Sequence, residues 1–246
     1  MAFTDHFAGV AAEYARFRPG YPAALFDFLA GAVRTRDLAW DCGTGTGIAA
    51  LSLAERFSHV VATDPSAAQL AQAPARPNIT WRTLREAASG IEAGTASLVT
   101  VAQAAHWFDL DAFYREVNRV LQPGGVIALW CYGILRIDER IDAILHRFEH
   151  ERVGPWWPPE RHYVDTEYRT LPFPFKRIDT PAFTMQASLT RAALIGYLGS
   201  WSAVSRYRAS EGQDPLIELD AELAALWPDA EAKLVTWPLT VVAGRA

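Results

Sequence analysis

The chain has 246 residues, 50% hydrophobic and 21% charged, with a formal net charge of −5. That composition is globular and long enough for one α/β domain with additions, but too short for two full domains. The acidic balance without a Lys/Arg block disfavours a nucleic-acid partner; the longest apolar run, residues 125–135, is far short of a membrane span. Met1-Ala2-Phe3-Thr4-Asp5-His6 shows no positive segment leading into an apolar one, so no secretion signal is expected. With only two cysteines, Cys42 and Cys131, the chain reads as a reduced, cytoplasmic protein.

In chain order, residues 21–33 predict a helix, with Leu25, Phe28, Leu29 and Val33 on one stripe. Residues 37–41 predict a first strand, which runs into Asp41-Cys42-Gly43-Thr44-Gly45-Thr46-Gly47 and then a helix over 46–57. Val60-Val61-Ala62-Thr63-Asp64 predicts a second strand that ends in an acid, and Pro65-Ser66 opens the next helix, where proline suits a helix start. Residues 79–84 and 97–103 supply strands 3 and 4. Leu110, Phe113, Val117, Val120 and Leu121 keep helical spacing, and Pro123-Gly124-Gly125 punctuates the chain before strand 5. This alternation predicts an α/β, doubly wound, mostly parallel sheet with helices on both faces.

Residues 151–175 change character. Pro155, Trp156, Trp157, Pro158, Pro159, Pro172 and Pro174 make an ordered loop or cap there, not another βα unit. Residues 190–201 predict a helix with Leu194, Tyr197, Leu198 and Trp201 on one face, and Asp214-Pro215 begins another that runs to about 227. Residues 177–187 and 233–242 are the last strand candidates. Pro238 conflicts with a place inside a sheet, because it removes a ladder hydrogen bond; a local bulge or a different strand order would resolve it.

The segment 41–47 carries the chemistry. Glycine has no Cβ, so it takes the positive φ of a tight turn and lets the backbone lie close to a ligand. Asp64 falls about 20 residues after the glycines, the spacing at which a carboxylate on strand 2 holds a ribose. Two nucleoside ligands suit such a unit. Gly45-Thr46-Gly47-Ile48-Ala49-Ala50 satisfies a loose dinucleotide fingerprint, in which a pyrophosphate sits at the helix N-terminus. Asp41 argues against it, since a carboxylate at the mouth of strand 1 would repel phosphates in a cleft of low dielectric. S-adenosylmethionine has no phosphate, and its ammonium and sulfonium would be attracted to Asp41.

Here the chain resembles the class I S-adenosylmethionine-dependent methyltransferases, and within them the branch of trans-aconitate methyltransferases and their small-molecule-methylating relatives. The resemblance rests on Tyr14-Ala15-Arg16-Phe17-Arg18-Pro19-Gly20-Tyr21-Pro22, on Asp41 to Gly47, on Gln103-Ala104-Ala105-His106-Trp107-Phe108-Asp109 after strand 4, and on Leu121-Gln122-Pro123-Gly124-Gly125 before strand 5. It runs from about residue 5 to the C-terminus and is strong over the first 135 residues. Relatives often carry an Asp inside strand 4 where this chain has Ser97, which reads as structural.

The resemblance implies a Rossmann-like seven-stranded sheet with an antiparallel last strand and appended helices. It implies a single domain over 1–246, with a helical lid at 1–36, a cofactor-binding core at 37–135 and a substrate cap at 136–230. Cys42 and Cys131 would then end strands that are not neighbours, and no disulfide is expected. The implied activity is methyl transfer from S-adenosylmethionine to a small molecule, an O-nucleophile such as a carboxylate. The alternatives are an NAD(P)-dependent oxidoreductase and a cofactor-binding protein without turnover. By resemblance Asp41 and the Gly43 backbone hold the methionine end of the cofactor, Asp64 accepts from both ribose hydroxyls, Glu86 lies in the segment that flanks the adenine, and Gln103 borders the methionine moiety; Thr44, Gly45, Gly47 and Pro65 are also expected to bind the cofactor.

The substrate side is read from position. Tyr14, Arg16 and Arg18 read either as a solvated start to the fold or as a lid that closes over the cofactor's carboxylate, or over an acidic substrate, through bidentate hydrogen bonds. His106 lies just beyond strand 4, where ligands of open α/β sheets bind. It is the candidate base if the acceptor is a hydroxyl, and otherwise it packs or lines the pocket. Trp107, Trp156, Trp157 and Trp201 are candidate apolar walls, with Arg161 and Arg206 in the same cap. His146-Arg147-Phe148-Glu149-His150 matches a zinc-peptidase pattern, but Ile137, Ile141, Ile144, Leu145 and Phe148 define the buried stripe of its helix and both histidines point away from it. No metal is expected, and oligomeric state is not encoded legibly.

Overall fold

The structure, a computed structural model, describes residues 20–246. Tyr14, Arg16 and Arg18 therefore lie outside the described residues. Strands β1 (Leu38–Cys42), β2 (His59–Asp64), β3 (Ile79–Thr83), β4 (Ala96–Ala102) and β5 (Leu121–Tyr132) are parallel to one another. β6 (Lys176–Ile178), β7 (Phe183–Thr190) and β8 (Ala232–Arg245) complete the sheet in the order β3-β2-β1-β4-β5-β8-β6, with β7 also on β8. β8 is antiparallel to β5 and to both of its outer neighbours.

The sheet is seven positions wide, as expected, but holds eight strands because its edge position is divided. Four residues, 179–182, separate β6 from β7, while three residues of β8, 240–242, lie opposite. The extra residue makes a bulge, and Pro181 within it has no N–H to lend to a ladder.

The same register accommodates Pro238. Thr236 exchanges both backbone bonds with Arg136, so by two-residue alternation the nitrogen at 238 faces that side too. The β5 ladder ends at Tyr132, opposite Leu239. Pro238 thus faces the gap where residues 133–135 leave the sheet, and no ladder bond is lost. Strand 5 also begins earlier than expected, at Leu121. Pro123-Gly124-Gly125 is not a break before it but the register shift within it, between the pairs Ala96–Leu121 and Leu98–Val126.

Helices cover both faces: α1 (Ala23–Ala32), α2 (Ile48–Ala54), α3 (Ala67–Leu70) and α4 (Leu110–Val120) belong to the βα alternation. The period of two along β5 sorts Val126, Ala128, Trp130 and Tyr132 into one core and Ile127, Leu129 and Cys131 into the other. A strand buried on both faces reads as a continuous apolar run, as β5 does. Ser97 is buried and its hydroxyl donates to the Leu38 carbonyl at 2.9 Å, a structural role. The cap is helical: α5 (Glu139–Arg147) with a π turn at Phe148–Arg152, α6 (Arg161–Asp165), α7 (Arg191–Gly199), α8 (Ser202–Glu211) and α9 (Leu216–Ala224). Among the described residues, no helix is long and apolar enough to cross a membrane.

Candidate active site

Three glycines shape the loop after β1, with φ of 68° at Gly43, 57° at Gly45 and 88° at Gly47. An L-residue pays for this left-handed backbone, glycine does not. Gly43 and Thr44 donate to the Thr63 carbonyl at 2.8 and 3.0 Å, tying the loop to the end of β2. Asp64 reinforces the tie: Gly45 N–H donates to its Oδ2 and Ser66 N–H to its Oδ1, both at 2.8 Å. Pro65, between them, is half-buried.

Asp41 does something other than face the cleft. It is wholly buried, and its oxygens accept from the Thr44 hydroxyl at 2.5 Å and the Thr100 hydroxyl at 2.8 Å. The carboxylate therefore braces the glycine loop against β4, and Thr44 is the partner that holds it. Burial lifts its pKa from 3.8 to about 6, against the lowering effect of the two hydroxyls, and neighbouring Asp64 adds to the rise. A group whose folded pKa is raised contributes stability that is fully present below its unfolded pKa and is lost as pH rises through the folded one. Asp41→Asn should therefore gain about 2 kcal/mol on the wild type between pH ~4.5 and ~7, read as the difference of two urea denaturation curves at each pH. A gap that stays constant with pH would show that Asp41 titrates normally.

Glu86 is buried at the adjoining edge, 3.6 Å from the Arg85 guanidinium, and accepts from the Asp109 N–H at 3.5 Å. Asp41, Asp64 and Glu86 make the carboxyl ends of β1 to β3 acidic. That electrostatic character fits a cationic nucleoside and opposes a pyrophosphate.

A cavity opens beyond β4 and β5, lined by Gln103, His106, Trp107, Tyr132, Gly133, Trp157, Pro158, Arg161, Val164, Tyr197, Trp201 and Ser202. The two strands and the cap thus contribute to one site. Gln103, at φ 54°, turns its amide onto the last residue of β5: Nε2 donates to the Tyr132 carbonyl at 3.0 Å and Oε1 accepts the Tyr132 N–H at 2.8 Å. Its side chain extends the sheet and holds the cavity floor.

Arg161 is the cation of this cavity. Its Nε donates to Asp165 at 2.7 Å, its Nη2 to Glu149 at 2.6 Å, and its guanidinium lies 4.1 Å from the Trp157 ring centroid. Glu149 is buried through the π turn and its pKa is raised by burial, with Arg161 lowering it. His106 is buried, bonds Tyr168 through Nδ1 at 3.0 Å, and is pulled down to about 3 by burial and then by Arg161.

Of the expected substrate residues, the structure brings His106, Trp107, Trp157, Trp201 and Arg161 to one cavity. Trp156 is the exception: the turn Gly154–Trp156 sends its ring onto Tyr207, 4.7 Å between centroids, and only Trp157 faces the cavity. Arg206 is not among the lining residues. His146 and His150 are exposed and stack on each other, while Glu149 turns inward to Arg161. Among the described residues no group of three or more His, Cys, Asp or Glu is placed to hold a metal ion. Tyr132 and Tyr168 carried no signal in the sequence, and Tyr197 showed only as part of the apolar face of its helix, because their roles depend on contacts with distant segments.

Residues 40–129 match the methyltransferase domain family. A protein of Dictyostelium discoideum named as a methyltransferase is 33% identical over 239 residues, covering 95% of this chain and 91% of that protein. An uncharacterized methyltransferase of Mycobacterium tuberculosis is 35% identical over 198 residues, 80% of this chain and 76% of that one. A solved structure from Anaeromyxobacter dehalogenans, described as a type II methyltransferase, superposes with a TM-score of 0.86 at 43% identity, covering 93% of this chain and 98% of that one. A phosphoethanolamine N-methyltransferase from Haemonchus contortus, solved with S-adenosylhomocysteine, shares the fold alone, at 14% identity and a TM-score of 0.51 over 100% of this chain and 61% of that one.

Fold and relatives together define a Rossmann-like methyltransferase. The chain belongs to the class I S-adenosylmethionine-dependent methyltransferases, and the oxidoreductase alternative falls away with that membership. The loose dinucleotide fingerprint at Gly45 to Ala50 is incidental to the glycine loop.

Proposed function

We propose that this methyltransferase acts on a small acid and methylates a carboxylate oxygen. The observation that carries the reading is Arg161, a guanidinium at the wall of a cavity otherwise rich in aromatic side chains. Of its five N–H donors, one goes to Glu149 and one to Asp165; Nη1 has no partner among the described residues. The two acids and the Trp157 ring hold the planar fork in one orientation, which is what bidentate recognition of a carboxylate requires. Asp165 is more than half exposed, so water screens its competing charge. Trp107, Trp157 and Trp201 exclude water and strengthen the contact that remains.

The cofactor assignments follow the glycine loop. Asp64, the acid that ends β2, would accept from the ribose hydroxyls. Glu86 would flank the adenine, with Gly43, Gly45 and Gly47 admitting the ligand close to the backbone. Asp41 and Thr44 would act by holding that loop, Gln103 by bordering the methionine end, and Pro65 by setting the turn after Asp64. Tyr14, Arg16 and Arg18 remain proposed lid residues. When bound, S-adenosylmethionine supplies a methyl group on a sulfonium, which is already strongly electrophilic.

The protein's task is then alignment, and orientation of bound reactants can lower a barrier by ~7–11 kcal/mol. Arg161 fixes one end of the acid so that an oxygen is aimed at the methyl group. A carboxylate needs no base at neutral pH, which agrees with a His106 that stays uncharged and buried. Methylation removes the substrate's charge, so Arg161 loses its ionic partner and the ester is held less firmly than the acid.

A labelled-methyl transfer screen over small acids, phenols and amines, with products identified by mass, tests the class. Arg161→Ala should raise the KM of the acid more than about tenfold, the loss of one charge-assisted contact. Arg16→Ala and Arg18→Ala should raise it similarly, while His106→Ala should leave kcat within a few-fold. Turnover that collapses in a folded His106→Ala would instead mark a hydroxyl acceptor with His106 as its base; with its pKa pulled down to about 3, that base would act without a pH step near neutrality.

A further inference from the structure

We infer that Tyr168 fixes His106 in the tautomer that carries its proton on Nε2, so that the ring meets the acceptor as a hydrogen-bond donor and not as a base. This rests on the acid acceptor proposed above and assigns the two residues their parts in recognising it. Tyr168 is a positioning residue: it acts on substrate only through His106.

The direction of the Tyr168–His106 bond follows from the needs of the phenol. The phenol is buried, so its proton needs an acceptor within the protein, and a buried O–H left without one is costly. If Nδ1–H donated to the phenol oxygen, that proton would have none. The acceptor within reach among the described residues is Nδ1 of His106, at 3.0 Å. A neutral imidazole has one N–H and one lone pair. With the lone pair of Nδ1 engaged by the phenol, the proton is on Nε2, the remaining nitrogen of a side chain that lines the cavity beside Arg161. Nε2–H and the Arg161 guanidinium are then two donors belonging to residues that line one cavity, which suits an acceptor-only carboxylate.

Backbone geometry supports a built device. Among the described residues, three non-glycine residues have positive φ: Gln103 at 54°, Glu167 at 53° and Tyr168 at 56°. Gln103 lines the cavity, and Tyr168 bonds a residue that lines it. A left-handed tyrosine is costly and persists only where its surroundings over-determine it, and such residues gather at functional sites. The turn is held by the Tyr168 N–H donating to the Tyr163 carbonyl at 2.7 Å. It delivers the phenol to a histidine 62 residues earlier in the chain.

The groups around this pair do not disturb the assignment near neutral pH. Arg161 on α6 is cationic and opposes protonation of His106. Cys131 at the end of β5 is pushed up to about 12 by burial, and Tyr114 on α4 and Tyr168 itself are also raised by burial, so all three stay protonated. Glu149, behind Arg161, is raised by burial; Glu167, beside Tyr168, acts on Cys131.

Long-range ¹H–¹⁵N spectra of histidine-labelled protein, with His106→Asn to assign the signal, read the tautomer directly. The expected result is a neutral ring with the proton on Nε2 and shifts that stay flat from about pH 5 to about pH 8, the range in which an ordinary histidine titrates. Tyr168→Phe should populate the Nδ1–H tautomer. With an acid acceptor found by the screen, it should raise KM about fivefold or more while kcat changes less than about twofold, the size of one lost neutral hydrogen bond. A proton on Nδ1 in the wild type, or an unchanged tautomer in folded Tyr168→Phe, overturns the inference. If that variant does not fold, the wild-type spectrum alone decides. The spectra need no acceptor, so their failure is separable from failure of the acid reading, which the transfer screen reports.

Discussion

Asp64→Ala is expected to weaken S-adenosylmethionine binding by about 10- to 100-fold, because a hydrogen bond to a charged partner contributes roughly 1.5–3 kcal/mol. The carboxylate accepts Gly45 and Ser66 N–H groups at 2.8 Å, and on the proposed cofactor assignment it also receives the ribose hydroxyls. Removing it leaves two backbone donors without their acceptor, so a loss of stability should accompany the loss of affinity. Asp64→Asn is the milder variant: its single amide oxygen can keep one of the two loop bonds, while its NH2 meets the other donor and the charge is gone. Calorimetry with S-adenosylhomocysteine, checked by circular dichroism, measures both variants. Unchanged affinity in a folded Asp64→Ala would mean that the ribose lies elsewhere.

Gly47→Ala should destabilise the fold by about 2–5 kcal/mol, from two independent causes. Gly47 is the N-cap of α2 with φ 88° and ψ 17°, in the left-handed region, and an L-residue there costs roughly 1–2 kcal/mol. An added Cβ would also press into the Trp81 ring, one carbon of which would be 2.9 Å away, and overpacking of this kind costs about 1–3 kcal/mol. Trp81→Leu in the same chain should recover the steric part and leave the backbone part, giving a favourable coupling in a double-mutant cycle. The measurement is equilibrium denaturation of the four proteins. Additive losses would show that the Trp81 ring yields freely and that backbone conformation alone restricts position 47.

The part of the fold that was legible lies where the determinants are local. Strand, glycine loop, helix and acid follow one another within residues 38–64, and each is set by its own neighbours: apolar runs for β1 and β2, left-handed turns at Gly43, Gly45 and Gly47, and Asp64 at the strand end. Period two in β5 and helical spacing in α4 are likewise properties of short segments. The methyltransferase family was readable from the same stretch. The divided edge strand was not, since nothing near Pro181 shows that β8 will continue past it as partner to both β6 and β7. Pro238 looked misplaced for the same reason: the side its nitrogen faces depends on where β5 ends, more than a hundred residues earlier.

Among the site residues the division is similar. Asp64 and the glycines could be placed from spacing, and His106 and Trp107 from their position after β4. The inward turn of Glu149, the fork of Arg161, and the choice of Trp157 over Trp156 come from the packing of the cap. Asp41 shows the limit most clearly: its residue type and position suggested a charge facing the ligand, whereas Thr100 on β4, 59 residues away, draws it into the interior. His106 needed Tyr168 and Arg161 to define its charge and its proton. The sequence by itself determined the backbone cradle and the acid at its rim, because turn conformation and strand pattern are fixed by adjacent residues. Only the tertiary structure decided which of those groups are buried, paired or charged, because desolvation and hydrogen bonding depend on what distant segments bring alongside.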